Sequence, residues 1–330
     1  MKYLEETMLT RRILRGLLSA LLTIPAAGFA QDWPSGPVRV IVPFAAGSTP
    51  DLAARIISER LSVRLGKPLV VENKSGASGN IGTDAVAKAA PDGQTIGVSI
   101  AGPLAVNTLL YKKLPYDPAK DIEPITIAAT QPAVLVVSHK LGVGSTKDFL
   151  ALLKKNPSKF SFSSTGAGTI SHLAMEAIAG RCNADPVHVP YPGSGAAVTA
   201  VIAGDVDFAL LPAAAVMPHI KAGKLKGLAV ASAKRSATLP ELPTLAEAGL
   251  DDIQADAWIG FIVPAKTPPA IVTRLHKEIV QVLAEPAVHE KLKLQYMDVV
   301  GDSPSQFRAV MASDLARWKP IVQKHNIKLD

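Results

Sequence analysis

The sequence predicts an α/β protein of two lobes, each a mostly parallel sheet flanked by helices, with two hinge crossings between them. Three observations lead there. Short β-branched runs alternate with helix-periodic stretches from residue 38 onward, as in sheets covered on both faces. The alternation restarts after "QPAVLVVSH" at 131–139. The C-terminal stretch then offers one strand and two long helices, too little for a third domain.

In chain order, Val38 to Val42 is a first strand, and Asp51 to Leu65 sets Leu52, Ile56, Leu61 and Leu65 near helical spacing. Residues 68–72 read as a second strand, 81–90 as a helix stopped by Pro91-Asp92-Gly93, and 95–100 as a third strand. The second unit runs helix 146–155, strand 160–163, helix to Gly180, strand 187–191, helix 196–203, strand 206–211, helix to Gly223 and strand 225–232. "LPELPTLAEAGL" is a loop with a short helix, and "DAWIGFIVP" is a strand. The two closing helices open at Thr267-Pro268 and Ser303-Pro304, each a cap residue followed by Pro in the first turn. The economical topology returns the chain to where it began. Residues 31–134 and 252–330 then form lobe 1, residues 135–251 form lobe 2, and strands near 131–139 and 251–262 cross between them. Two lobes joined in this way make a ligand clamp that closes by hinge bending.

Composition narrows the function. The chain has 330 residues, 48% hydrophobic and 5% aromatic, enough for substantial cores. Arg11, Arg12 and Arg15 precede an apolar stretch at 17–24, then Pro25 and small residues ending at Ala30. That is the layout of a secretory signal peptide over residues 1–30, with Met8 as an alternative start. No Cys stands at the expected cleavage point, so no lipid anchor is expected, and the apolar core is too short for a stable membrane span. The mature chain is expected to be soluble and exported. The formal charge of +7 includes four basic and two acidic side chains in residues 1–30, leaving a well-mixed +5. No Lys/Arg run with interleaved aromatics suggests a nucleic-acid partner. The lone Cys182 has neither a disulfide partner nor a zinc motif and reads as structural.

Two stretches concentrate small polar residues where a strand gives way to a helix. "VPFAAGSTPD" (42–51) keeps side chains small before a helix start, and Asp51 falls in the first turn. "FSSTGAGTISHLAMEAIAG" (162–180) repeats the device with Ser164, Thr165, Gly166, Gly168 and Thr169. Ligands of open α/β sheets sit beyond strand carboxyl ends, where unpaired amides and the helix dipole suit an anion. Neither loop holds Arg or Lys, which suits one or two carboxylates better than a polyphosphate. Each residue also has a plain structural reading. Asp51 complements its helix end or orders ligand water, His172 meets a carboxylate or packs, and Tyr191 lines a site or fills the core. Trp258 reads as hinge or core packing, and Asp205 and Asp207 as structural. The glycines lack a third partner for a dinucleotide fingerprint, and Gly193-Ser194-Gly195 lacks the spacing of a nucleophile elbow. No P-loop, zinc motif, triad or paired acids appear, so neither a metal nor a cofactor is expected, nor catalysis.

The blocks "VPFAAGSTPDLAAR", "ENKSGASGNIGTDAVAKAAPDGQT", "LPYDPAKDIEPIT", "SSTGAGTISHLAME", "VPYPGSGAAVTAVIAGDVDFAL" and "LPTLAEAGL" occur in order from about Trp33 onward. Together they resemble the Bug-type substrate-binding proteins of tripartite tricarboxylate transporters. The resemblance implies a two-lobe periplasmic-binding-protein fold that captures a small carboxylate and delivers it to membrane transporter subunits, as a monomer. It implies ligand contacts at Phe44, Ala46, Gly47 and Asp51 in lobe 1, and at Thr165, Gly166, Thr169, His172 and the 191–195 loop, Tyr191 and Gly195 included, in lobe 2. Ser99 to Gly102 would line the floor. Ser48 stands where the family usually has a second glycine, a side chain that either adds a hydroxyl contact or displaces a water. A dicarboxylic acid, an aromatic acid and an acidic amino acid all stay open as ligands. The alternative to transport is a ligand-sensing partner of a membrane sensor kinase, and an exported enzyme comes last.

Overall fold

A computed structural model describes residues 33–329, so the expected signal peptide at 1–30 lies outside the described residues. Two sheets organise the chain from Gly36 onward. The first begins with β1 (Val38–Val42), α1 (Thr49–Leu65), β2 (Leu69–Asn73), α2 (Asn80–Ala87) and β3 (Thr95–Ser99). It is extended by β4 (Ile122–Gln131), and the chain then passes through Pro132 into β5 (Ala133–Val137) of the second sheet. That sheet is built with α3 (Thr146–Lys155), β6 (Ser161–Ser164), α4 (Ile170–Arg181), β7 (Val187–Pro190), α5 (Ser194–Ala203), β8 (Phe208–Pro212), α6 (Ala213–Lys221) and β9 (Lys226–Val230). After residues 231–256 the chain rejoins the first sheet as β10 (Ala257–Pro264). It ends with α7 (Pro269–Leu283), α8 (Pro286–Lys293), β11 (Asp298–Val299) and α9 (Pro304–Lys324).

The strand orders are β11-β4-β10-β3-β1-β2 and β7-β6-β8-β5-β9. β1 pairs in parallel with β2 and β3, and β6 with β7 and β8. β5 and β10, the strands by which the chain enters each sheet, run antiparallel to both neighbours. Parallel order thus holds inside each βαβ unit and reverses at the crossings. The crossings lie side by side, with the Ala231 amide on the Ala133 carbonyl and the Ala255 amide on the Ala231 carbonyl, both 2.8 Å.

The sequence reading missed β4, a ten-residue strand between β10 and β11. Its Pro124 argues against a central strand. The ladder accommodates it beside the register shift between Phe261 and Ile262 of β10. The strand expected from 131 begins only after Pro132, and the strand "DAWIGFIVP" is β10 to within one residue, the crossing placed from 251 being loop as far as Asp256. Residues 102–110, unassigned from the sequence, form helical turns.

Both cores follow the strands. Ile41, Val86, Leu104, Ile127, Ile262 and Phe307 cluster on the first sheet. Trp258 is buried there, its ring edge-on to Phe307 with centroids 5.2 Å apart and its Nε1 donating to Asp314 at 2.7 Å. α9 crosses β10 so closely that a Cβ on Gly260 would stand 2.1 Å from the Phe307 ring. Farther along, Trp318 and Val322 of α9 join a cluster with Phe162 and Phe208 of the second sheet and Leu173 of α4. The tail after α9 closes on Leu110, whose carbonyl accepts the Leu329 amide at 3.0 Å.

Candidate ligand-binding site

The parallel strands of each sheet release their loops at their carboxyl ends, where an open α/β sheet binds ligands. In the first sheet these loops are residues 43–48, 74–79 and 100–104. Asp51, 1% exposed, ties the first of them down. Its Oδ2 accepts the Gly47 amide at 2.9 Å, its Oδ1 accepts Asn73 Nδ2 at 2.8 Å, and Arg55 Nε donates to both oxygens at 3.0 Å. Asn73 Nδ2 also reaches the Phe44 carbonyl at 2.9 Å. Burial alone would raise the Asp51 pKa, but the bonds from Arg55, Gly47 and Asn73 outweigh it and hold it below the usual carboxylate value. The carboxylate is therefore directed into its own loop. Gly47 at φ +80° makes the turn, and Ser48 precedes the helix with its Oγ buried and unpartnered. Thr49 Oγ1 donates to Gln131 Oε1 at 3.2 Å, connecting the helix start to the end of β4 at the first crossing.

The segment after β2 is a feature the sequence reading left out of the site. Gly76, Ala77, Ser78 and Gly79 have successive positive φ values of 133°, 45°, 53° and 90°, strained for Ala77 and Ser78. The strain is held by neighbours. Asn107 Nδ2 donates to the Ser78 carbonyl and to Asn80 Oδ1, at 3.2 and 2.6 Å, and the Tyr111 hydroxyl meets Ser78 Oγ at 3.2 Å. A Cβ on Gly79 would stand 2.8 Å from the Phe44 ring and 2.6 Å from Pro103, so this loop and the 43–48 loop meet over the 102–110 turns. The signal for it was the Gly-Ala-Ser-Gly run between β2 and α2. Of the expected floor, Gly102 belongs to this assembly. Ser99 is fully buried with its Oγ 3.3 Å from Thr83 Oγ1, behind the loops.

In the second sheet the loops are residues 165–169 and 191–193, joined by the Tyr191 amide on the Ser164 carbonyl at 3.1 Å. Thr165 is held by Ser171, whose Oγ accepts its amide at 3.0 Å. Ser164 Oγ accepts the Gly166 amide at 3.1 Å, and Thr169 Oγ1 donates to the Gly166 carbonyl at 2.7 Å. His172, 6% exposed, accepts the Gly168 amide at its Nδ1, 3.0 Å away. Gly168 itself passes so close to Leu110 that a Cβ would stand 2.6 Å from its methyl. Tyr191 is half-buried against the second core, and Gly193 and Gly195 have open space where a side chain would project. The caps Ser48 and Thr169 make no side-chain bond to the first-turn amides of α1 and α4, while amides of the loops before them are paired. Gly47, Thr165, Gly166 and Gly168 all donate within their own loops, because serines, a histidine and an aspartate of the following helix or preceding strand supply acceptors.

Other candidates fall outside the loops. Asp207 Oδ2 accepts the Ser161 amide at 2.9 Å, and Cys182 is buried, its thiol pKa raised by desolvation. Among the described residues no group of three or more His, Cys, Asp and Glu is placed to hold a metal ion, and no helix is long and apolar enough to cross a membrane.

The profile of a family described as "Tripartite tricarboxylate transporter family receptor" matches residues 53–327. The chain belongs to this receptor family. Among its relatives, Protein BugT of Bordetella pertussis is 36% identical over 315 residues, covering 95% of this chain and 97% of BugT. Two solved structures share the fold of this receptor along nearly their whole length. Rpa4515 of R. palustris, solved with adipate, is 33% identical with a TM-score of 0.80, over 88% of this receptor and 97% of that chain. MatC from Rhodopseudomonas palustris, with bound malate, is 29% identical with a TM-score of 0.77, over 88% and 100%. The family assignment also fits the two sheets flanked by helices described above.

Proposed function

We propose that this receptor is exported, captures a small carboxylate between its two lobes and hands it to the membrane subunits of a tripartite tricarboxylate transporter, acting as a monomer without turnover. The observation that carries this reading is the full-length likeness to one chain solved with adipate and another with malate. Both ligands are dicarboxylates, and the loops of this chain are rich in hydroxyls and glycines, with no Lys or Arg in 43–48, 164–169 or 191–195 and Lys74 the one cation in 74–79. Such loops suit carboxylates held through hydroxyls, amides and water. Lobe 1 (31–134 and 252–330) contributes Phe44, Ala46, Gly47, Ser48 and the Gly76–Gly79 segment, with Asp51 positioning the first loop. Lobe 2 (135–251) contributes Thr165, Gly166, Thr169, Tyr191 and Gly195. Bending at the paired crossings closes one lobe on the other, and a ligand shifts that equilibrium only by binding the closed state more tightly.

Thermal unfolding of residues 31–330 against mono- and dicarboxylates, amino acids, sugars and phosphates tests this. A ligand at about a hundred times its Kd adds roughly 2.7 kcal/mol to the native state. A shift confined to carboxylates is expected. Shifts with sugars or phosphates and none with any carboxylate would overturn the reading.

A further inference from the structure

Behind the 164–169 loop, on the side of α4 and the C-terminal tail, lies a cavity of about 510 Å³ lined by His172, Glu176, His188 and His325. Two of these histidines hold the loop. His172 Nδ1 accepts the Gly168 amide at 3.0 Å. His188 Nε2 lies 2.7 Å from Ser164 Oγ, the same oxygen that accepts the Gly166 amide. Their rings stack with centroids 3.7 Å apart and planes 10° from parallel, and the Phe162 ring lies 4.9 Å from that of His188.

We propose that the stacked His172–His188 pair is a proton-sensitive support that keeps the lobe 2 ligand loop in its binding geometry only while both rings are neutral. The inference rests on the reading of 164–169 as a ligand loop. With Nδ1 accepting, the neutral His172 carries its proton on Nε2, which faces Glu176 Oε1 at 3.4 Å. A second proton can go only to Nδ1, and there it turns an acceptor into a donor pointed at the Gly168 N–H. Protonation of both rings would further set two like charges face to face.

The surrounding charges steer this outcome without removing it. Glu176 of α4 is shared with the tail, its Oε2 lying 3.1 Å from His325 Nδ1, and it favours a proton on Nε2 of His172 rather than on Nδ1. Asp185 before β7 and Lys328 of the tail complete the charged lining. Burial, reinforced by His172, pushes the pKa of His188 down to about 4, so that ring stays neutral in mildly acid solution. His172 is on this account a positioning residue.

The test uses 15N-labelled chain without ligand, followed by amide and imidazole NMR from about pH 8 to about pH 5, across the ordinary histidine range. The Gly168 amide is expected to shift with the same midpoint as the His172 ring. In His172→Asn, whose Oδ1 accepts without titrating, it should not follow. A Gly168 amide indifferent to the His172 titration in the wild type overturns the proposal, whether or not the variant folds. With adipate and malate as probes, lowering the pH should weaken wild-type binding roughly two- to tenfold more than that of His172→Asn, the scale of one hydrogen bond. Ionisation of the probe is common to both proteins. Equal losses in both overturn the link to affinity. A Gly168 amide that tracks His172 in a chain binding neither probe supports the switch and counts against the carboxylate reading alone.

Discussion

Asp51 illustrates how a single buried charge shapes a loop. Its two oxygens gather the Gly47 amide, Asn73 and Arg55, and Asn73 in turn holds the Phe44 carbonyl. Asp51→Ala leaves those donors unanswered and should weaken carboxylate binding by about 1–3 kcal/mol, measured by calorimetry with any ligand the unfolding screen selects. Unchanged affinity in a folded variant would remove Asp51 from the site. The same contacts fix a pH dependence. The folded-state pKa lies below the ordinary carboxylate value, so Asp51 contributes stability that is present above about pH 4 and lost as pH falls through the folded value. The stability gap between wild type and Asp51→Asn, read from urea midpoints, should therefore narrow between neutral pH and about pH 3. A gap that stays constant would mean that the carboxylate charge does not stabilise the loop.

At the scale of the element, the Gly76–Gly79 segment carries its conformation through contacts rather than composition. Gly79 sits at φ +90° with the Phe44 ring and Pro103 where a Cβ would go, whereas Gly193 sits at φ +104° in open space. Both positions strain an L-residue, and only the first also collides. Gly79→Ala should therefore cost more stability than Gly193→Ala, about 2–4 kcal/mol against about 1. Equal losses of Tm would show that backbone strain alone governs both. The same contrast explains what was legible in the sequence. The alternation of runs such as Val38–Val42 with periodic stretches located the βαβ elements, because hydrophobic period is a local property. β4 was hidden because Pro124 reads as a strand breaker and only the irregular pairing with β10 reveals how it is tolerated. The site loops were visible as small-residue runs. The acceptors that fill their amides lie only two to six residues away, on Asp51, Ser164, Ser171 and His172, but the contacts that brace those loops do not, since Asn73 donates to the Phe44 carbonyl and His188 meets Ser164 from strands 29 and 24 residues away. The His172–His188 stack depends on α4 lying over β7, a packing fact with no sequence period of its own.

At the scale of the whole molecule, the two sheets are coupled where the chain crosses between them, and a carboxyl group sits there. Asp256 directly precedes β10, and its Oδ1 accepts the Ser232 hydroxyl at 2.5 Å, joining the two ends of the 231–256 connection. Desolvation is the largest influence on it, opposed by the Ser232 bond and reinforced by Asp298, and its pKa is pushed up to about 6. The native state thus keeps a proton that the unfolded chain releases near pH 4. Ionising the group is harder in the folded protein, so stability falls as pH rises from the unfolded value through the folded one. Asp256→Asn keeps an oxygen for Ser232 and has no charge to desolvate. It should stabilise the protein by about 1–2 kcal/mol at pH 7–8, and the gain should vanish below about pH 4. Thermal unfolding of both proteins across this range decides the matter. A gain that persists in acid would reflect packing, whereas one that appears only as Asp256 ionises would show that the connection between the lobes is held under electrostatic load at neutral pH.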